Sequence, residues 1–481
     1  MNITYNPPGP VAQEYLVDRS PVSLIAGPVG SGKTVATFMK QMGVALAQKP
    51  YEGVRYSRHM IIRNTYPELR STVIKSFQEW FPEEIAPINW ASPITAKLDF
   101  WLPDKTRVKA EWLFLALDRP EDIGKLKSLE VTTAAGSEMS ELAKSVVDMM
   151  TQRVGRYPPQ RWGGPDFYGV LGDTNYPDDD HWIYRIFEEE KPEGFKMFKQ
   201  PGGLRLKGGD VGNRDSYEPH PQAENIKNLP GGYEYYFRQL GGKTKDWIKV
   251  FLLAQYGTIT TGRPVYPNYN DDLHCKEIRP YDGLPLLIGM DYGLTPAAAI
   301  CQVSPKGQFR IYAEVVTPDG QTMGVRQFSR DLLKPFLALN FPKHKVQIVG
   351  DPAGARRADS DEKTCFLILA EEGFPAMPAC PNNEPGMRKD AVNVYLTGLS
   401  DGQPNYLLHP EARTIRKGMN GGYSYKRVEA SGSERYRDVP EKNQYSHPVE
   451  AKEYAAVFSR TMTLAQDFGK RIEYPKNDGI V

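Results

Sequence analysis

The stretch that decides the fold is Val22-Ser23-Leu24-Ile25-Ala26-Gly27-Pro28-Val29-Gly30-Ser31-Gly32-Lys33-Thr34. Its opening residues, Val22 to Ala26, form a short apolar run of the kind a buried strand shows. The remainder fits the pattern Gly-x4-Gly-Lys-Thr, and a helical stretch from Val35 to Gln48 follows it. In such a loop the glycines let the backbone curl, so that successive N–H groups point inward and cradle phosphate. Lys33 adds a point charge for the β/γ-phosphates, and the Thr34 hydroxyl can ligate Mg²⁺. A strand before and a helix after are the context the pattern requires. Gly27, Pro28, Val29, Gly30, Ser31, Gly32, Lys33 and Thr34 are therefore expected to bind a nucleotide triphosphate, ATP, with its Mg²⁺.

The chain has 481 residues, which at roughly 150 residues per domain implies about three domains or two large ones. Hydrophobic residues make up 40%, aromatics 11% and charged residues 25%, enough apolar surface for full cores, so disorder is excluded for most of the length. No apolar run approaches the roughly 18 residues of a membrane span, and no membrane partner is expected. The opening MNITYNPPGP lacks the basic-then-apolar layout of a secretory signal. Cys275, Cys301, Cys365 and Cys380 are unclustered, which points away from a zinc site or a disulfide framework and toward a reducing cytoplasm. A net charge of +1 gives no global pull toward nucleic acid but leaves room for a local basic track.

A second apolar run, Leu286-Leu-Ile-Gly-Met-Asp291, opens the other half. Between the halves, Thr260 to Asn270 is dense in turn formers. The expected division is a P-loop unit over 1–270, a linker over 271–284, a second unit over 285–460 and a tail over 461–481. Short apolar runs alternate with helical patterns in both halves, which predicts α/β layering.

ATP hydrolysis also needs an acid to hold Mg²⁺ and a base to orient the attacking water. Two strand ends compete for these roles. Trp112 to Asp118 is clearly apolar and ends in an acid, whereas Val131 to Glu138 is weaker and ends in Ser137-Glu138. Hydrophobicity alone favours Asp118. A third run, Phe167 to Gly172, leads into Asp173-Thr174-Asn175, polar residues placed to sense a γ-phosphate. In the second half, Asp291 and Asp351 each end an apolar strand, and Glu450 lies in what reads as the first turn of a helix. Two strand-tip carboxylates and one from a helix can hold two divalent cations about 4 Å apart, the geometry of in-line attack on a phosphodiester.

Taken together, these residues resemble the large terminase subunit of tailed double-stranded DNA bacteriophages. The similarity runs through Gly27–Thr34, Arg63-Asn-Thr-Tyr-Pro-Glu-Leu-Arg70, and Lys125 to Glu130 leading to Glu138. It continues through Gly172-Asp-Thr-Asn175, Met290-Asp-Tyr-Gly293, Gly350-Asp-Pro-Ala-Gly354 and His447 to Tyr454. The resemblance implies an N-terminal P-loop ATPase domain of the ASCE type and a C-terminal RNase H-like nuclease domain. It moves the catalytic acid from Asp118 to Glu138 and makes Asn175, with Thr174, the coupling element. It makes Asp291, Asp351 and Glu450 the ligands of two Mg²⁺ or Mn²⁺ ions, with Glu450 in place of the commoner Asp. Ser137 departs from the family, which often has Asp there, and a hydroxyl is a weaker partner for the Mg²⁺ water shell. The implied partners are double-stranded DNA, the portal protein, the small terminase subunit and further copies in a ring on the procapsid. The implied location is the host cytoplasm rather than the mature virion.

Further candidates follow from that reading. Arg58, Arg63, Arg153 and Arg156 compete to stabilise charge on the leaving phosphoryl group, and Gln13 to read adenine. Arg413, Arg416, Lys417, Lys426 and Arg427, interleaved with Tyr423 and Tyr425, suit a groove that tracks DNA phosphates. The tail with Lys470 and Arg471 is a candidate portal-docking segment. Two rival readings stand beside this one: a helicase or translocase whose second half only grips DNA, and a nucleotide-gated DNA-binding scaffold that hydrolyses nothing.

Overall fold

The apolar run before the glycine loop is a strand, Val22–Ala26 (β1), buried along its whole length. The computed structural model describes residues 4–117, 123–208, 213–257, 262–318, 320–355, 363–381, 383–426, 428 and 435–468. It places β1 inside an eight-stranded sheet. The other strands are Val54–Arg63 (β2), Ile88–Asn89 (β3), Ile94–Trp101 (β4), Arg107–Ala116 (β5), Thr133–Gly136 (β6), Gly169–Thr174 (β7) and Phe195–Lys199 (β8). They lie in the order β3-β4-β5-β2-β6-β7-β1-β8. From β5 to β8 every neighbouring pair is parallel, and β3 and β4 add an antiparallel edge.

A parallel sheet must be covered on both faces, and the period of two along each strand divides its side chains between two cores. Ile61, Trp112, Phe114 and Leu171 face one core, where they meet Phe38 and Met42 of the helix Lys33–Ala47 (α2). Met60, Ile62, Leu113, Leu115 and Val170 face the other, against Val146 and Val147 of the helix Lys144–Arg153 (α3).

Unit 2 is built on a six-stranded sheet: Leu286–Asp291 (β9), Ala297–Val303 (β10), Phe309–Val316 (β11), Val346–Gly350 (β12), Ala376–Pro378 (β13) and Tyr406–Leu408 (β14). The order is β13-β12-β9-β10-β11-β14. β9, β10 and β11 form an antiparallel meander, while β12 and β13 run parallel to β9 on one side and β14 runs parallel to β11 on the other. The helix Pro385–Thr397 (α4) and the long helix Ser446–Phe468 (α5) cover one face. Both units are thus α/β, as the alternation of short apolar runs and helical patterns requires.

The division between the units falls at Ile259/Thr260, earlier than the turn-rich stretch suggests. Val265 and Tyr266 are buried in the core of unit 2, and Arg263–Pro264 pairs with Ser424–Tyr425. The segment 271–284, expected as a linker, carries a short helix, Asp271–His274, whose Asp271 binds Arg416. Among the described residues no helix is long and apolar enough to cross a membrane.

The first core also contains a small polar cluster. His59 is fully buried; its Nδ1 lies 2.8 Å from Thr133 Oγ1 and its Nε2 3.1 Å from Ser57 Oγ. Gln41 of α2 accepts a hydrogen bond from the Trp112 indole N–H at 3.0 Å. Burial holds the His59 imidazole down at about 3, far below the ordinary 6.5. The unfolded ring therefore binds a proton between these values that the folded ring does not. This contribution to stability is complete above pH 6.5 and is lost as pH falls, by about 1.4 kcal/mol per pH unit. His59→Gln is expected to flatten that slope. Denaturant midpoints of wild type and variant at about pH 6.5 and about pH 4.5 will converge on acidification if His59 carries the effect, and will stay parallel if it does not.

Candidate functional site

In unit 1 the glycine loop turns from β1 into α2. Gly30 and Gly32 adopt φ of +74° and +84°, which a side chain tolerates poorly. Gly32 sits at the N-cap position of α2, so the free N–H groups of the first helical turn open onto the loop. Ser31 and the side chain of Gln200 brace the loop from behind, with Ser31 Oγ 2.8 Å from Gln200 Oε1. Gln200 in turn donates to Glu224 at 2.8 Å.

Five side chains from three segments converge at the mouth of this loop. The buried Lys33 Nζ donates to the Gly27 and Pro28 carbonyls at 3.1 and 2.7 Å and to Asn175 Oδ1 at 3.1 Å. Burial lowers its pKa, opposed by the charges of Glu138 and Asp173. Thr34 Oγ1 donates to Asp173 Oδ1 at 3.2 Å. Glu138 follows β6 with φ +51°, a left-handed conformation rare for a non-glycine residue. Its backbone N–H donates to Asp173 Oδ1 at 3.3 Å, and its carboxylate accepts from the backbone and side-chain nitrogens of Asn175 at 3.1 to 3.3 Å. Burial, with the Glu138 charge added, pushes the Asp173 carboxyl well above the usual carboxylate range.

Two acids, Glu138 and Asp173, thus lie beside the P-loop. Asp118 lies outside the described residues, and β5, the strand that leads to it, is separated from β1 by β2, β6 and β7. Asp173, expected with Thr174 and Asn175 to sense a γ-phosphate, is bonded directly to Thr34 of the loop.

Of the arginine candidates, Arg63 is buried at the end of β2, where Nη1 donates to Ser137 O at 3.3 Å and Nη2 to Glu141 at 3.2 Å. Arg58 is tied to Glu111 at 2.7 Å and covers the Tyr157 ring. Arg153 donates to the Lys127 carbonyl. Gln13 is exposed on the helix Pro10–Val17.

In unit 2, Asp291 ends β9 and Asp351 follows β12, its parallel neighbour, so the two acids emerge side by side. Glu450 comes from the first turns of α5. All three line one cleft of about 540 Å³. Close approach of α5 makes this possible: a Cβ on Gly289 of β9 would lie 1.9 Å from the Ala451 carbonyl oxygen. The helix backbone thus rests on the strand one residue beyond Glu450.

Each carboxylate has its own partner. His447 Nδ1 bonds Asp291, which raises the imidazole pKa. Asn383 Nδ2 and the Ala353 N–H both donate to Asp351 Oδ1 at 2.8 Å. Lys442 Nζ and the Tyr423 hydroxyl donate to Glu450 Oε1 at 2.5 and 2.8 Å.

The oxygens of this trio are not all within 4.8 Å of one another; among the described residues that holds only for the largely exposed run Asp178, Asp179 and Asp180. A pair of ions about 3.5–4 Å apart spreads its ligands over a wider site than one ion does. Three hard oxygen donors facing one cavity fit such a pair. The partners of His447 and Asn383 are distant in the chain, and that of Lys442 is eight residues on; none of the three is a site residue on the sequence alone. Tyr423, expected on a DNA-facing loop, is buried with its hydroxyl on Glu450. Arg416 and Lys426 are paired with Asp271 and Glu441. Arg427, Lys470 and Arg471 lie outside the described residues.

The sequence matches no protein-family model and no curated protein. Among solved structures, the chain is similar to the large terminase from a thermophilic bacteriophage, with 14% identity over 95% of this chain and 100% of that one at a TM-score of 0.39. The same phage terminase in complex with ADP matches at 14% identity and a TM-score of 0.39, covering 93% of this chain and 98% of that one. The HK97 bacteriophage large terminase matches at 11% identity and 0.36, covering 92% and 91%.

Gly289→Ala tests the seating of α5. The added methyl meets backbone rather than a flexible side chain, so it is expected to cost about 1–3 kcal/mol or more, read as a lower denaturant midpoint of unit 2. An unchanged midpoint would show that the helix has room to move.

Proposed function

We propose that this chain is the large terminase subunit of a tailed double-stranded DNA phage, an ATP-driven packaging motor that also cuts DNA. The observation that supports it best is the presence in one chain of two strand-tip sites: a P-loop with an adjacent Glu–Asn pair, and a carboxylate cleft on a different sheet.

In unit 1 the α2 N-terminus and loop N–H groups receive the phosphates of ATP, and Lys33 exchanges its carbonyl partners for phosphate oxygens. Glu138, held by Asn175, orients the attacking water. Asn175 also touches Lys33, so a change at the γ-phosphate is felt at the end of β7, a route from hydrolysis to movement. Thr34 would help hold a Mg²⁺ ion, which would supply positive charge at the phosphates.

In unit 2 the meander β9-β10-β11, extended by the parallel β12 and β13, is the arrangement an RNase H-like nuclease half calls for. Asp291, Asp351 and Glu450 would hold two Mg²⁺ or Mn²⁺ ions, whose chemistry would be water activation and charge stabilisation at a phosphodiester. His447 and Asn383 orient Asp291 and Asp351, and Lys442 balances Glu450 until cations enter. In this reading the chain acts on concatemeric DNA in the host cytoplasm, as a homo-oligomeric ring that meets the portal and the small terminase subunit.

Two variants separate the activities. Lys33→Ala is expected to lower DNA-stimulated phosphate release by about 10²–10³-fold while nicking of plasmid DNA in Mn²⁺ continues; undiminished ATP turnover would refute the P-loop assignment. Asp291→Asn and Asp351→Asn are each expected to lower nicking by more than the roughly 10–100-fold typical of losing an outer-shell partner, with ATP turnover intact. Unchanged cutting in both would leave the translocase without nuclease activity as the better reading.

A further inference from the structure

The residue before Glu138 is Ser137, and its main chain is fully engaged: its N–H donates to Ile62 O at 2.9 Å and its carbonyl accepts from Arg63. Among the described residues no hydrogen bond joins Ser137 to Thr34. A P-loop hydroxyl that gives a lone pair to Mg²⁺ still carries a proton, and an acid opposite it normally accepts that proton and anchors the metal's water.

Here the acceptor is Asp173. It lies on β7, the strand that pairs directly with β1, in register with Ile25 just before the loop. Ser137 follows β6, one strand further away. The Asp173 side chain is 1% exposed, and the oxygen that accepts from Thr34 also accepts from the Glu138 N–H.

We infer that Asp173, rather than the residue preceding Glu138, supplies the carboxylate that holds the nucleotide's divalent cation beside Thr34, the acid having moved one strand over from the end of β6 to the end of β7. This rests on the ATPase reading above. A short side chain suffices because β7 adjoins β1. The same carboxylate then links the metal to the backbone of the water-orienting Glu138, and through Thr174 and Asn175, its immediate successors, to the coupling element. Thr174 Oγ1 accepts from the Ser140 N–H at 3.2 Å, so the segment after Glu138 is tied to the strand that carries the acid.

The test is equilibrium binding of a fluorescent non-hydrolysable ATP analogue to the full chain, in EDTA and in Mg²⁺. Mn²⁺ affinity in the presence of the analogue, read from the free-ion electron paramagnetic resonance signal, accompanies it. Wild type is expected to bind more tightly in Mg²⁺. Asp173→Asn should keep its EDTA affinity, which also reports that the site is folded, and lose Mn²⁺ affinity by about 10–100-fold. Adding Ser137→Asp to Asp173→Asn should recover a large part of that loss, because it returns the acid to the end of β6. If Asp173→Asn keeps the full metal-dependent gain, or if Ser137→Ala alone abolishes it, the inference is overturned while the ATPase reading stands. If wild type binds no analogue in either buffer, the ATPase reading fails and the inference with it.

Discussion

A carboxylate carried to the end of a buried strand must find hydrogen-bond donors or positive charge, because burial penalises its ionised form. Both units are arranged around that demand. In unit 1, Asp173 accepts from Thr34 and from the Glu138 N–H, and Glu138 accepts from Asn175, with Lys33 beside them. In unit 2, Asp291, Asp351 and Glu450 are met by His447, Asn383 and Lys442. In unit 1 Lys33 stands against the two acids Glu138 and Asp173, whereas the unit 2 cleft is also lined by Arg388, Lys389 and Lys442.

The scaffolds deliver these groups by the same device. A parallel pair of strands aligns their carboxyl ends, so residues just past the last ladder bond emerge together. β6 and β7 do this for Glu138 and Asn175, and β9 and β12 for Asp291 and Asp351. A helix completes each site: α2 contributes its N-terminus, and α5 contributes Glu450 because Gly289 lets its backbone rest on the sheet.

How much of this was legible in the chain follows from how local each requirement is. The P-loop reads directly, since positive φ at Gly30 and Gly32 is a demand on consecutive residues. Asp291 and Asp351 also read directly, as acids ending apolar runs. Glu138 did not, because Thr133-Ala-Ala-Gly136 is made of small residues packed between β2 and β7, with Met139 and Leu142 in the same core, and small buried residues score as weakly hydrophobic. The terminase resemblance, not the apolar pattern, points to Glu138. Asp173 escaped because its partner Thr34 is 139 residues away and nothing in either neighbourhood signals the pairing. Counting charges around Tyr423 does not reveal that Asp271 and Glu441 pair with Arg416 and Lys426. Turn formers between 260 and 270 mark the neighbourhood of the division at 259/260, although Val265 and Tyr266 belong to the core of unit 2.

The most direct measurement is anomalous diffraction from crystals of the full chain grown with a non-hydrolysable ATP analogue and Mn²⁺. One manganese peak is expected beside Thr34, next to the terminal phosphate, and a pair of peaks about 4 Å apart among Asp291, Asp351 and Glu450. A peak at the P-loop with none in the carboxylate cleft, at saturating Mn²⁺, would contradict the claim that one chain houses both a phosphate-driven motor and a DNA-cutting centre.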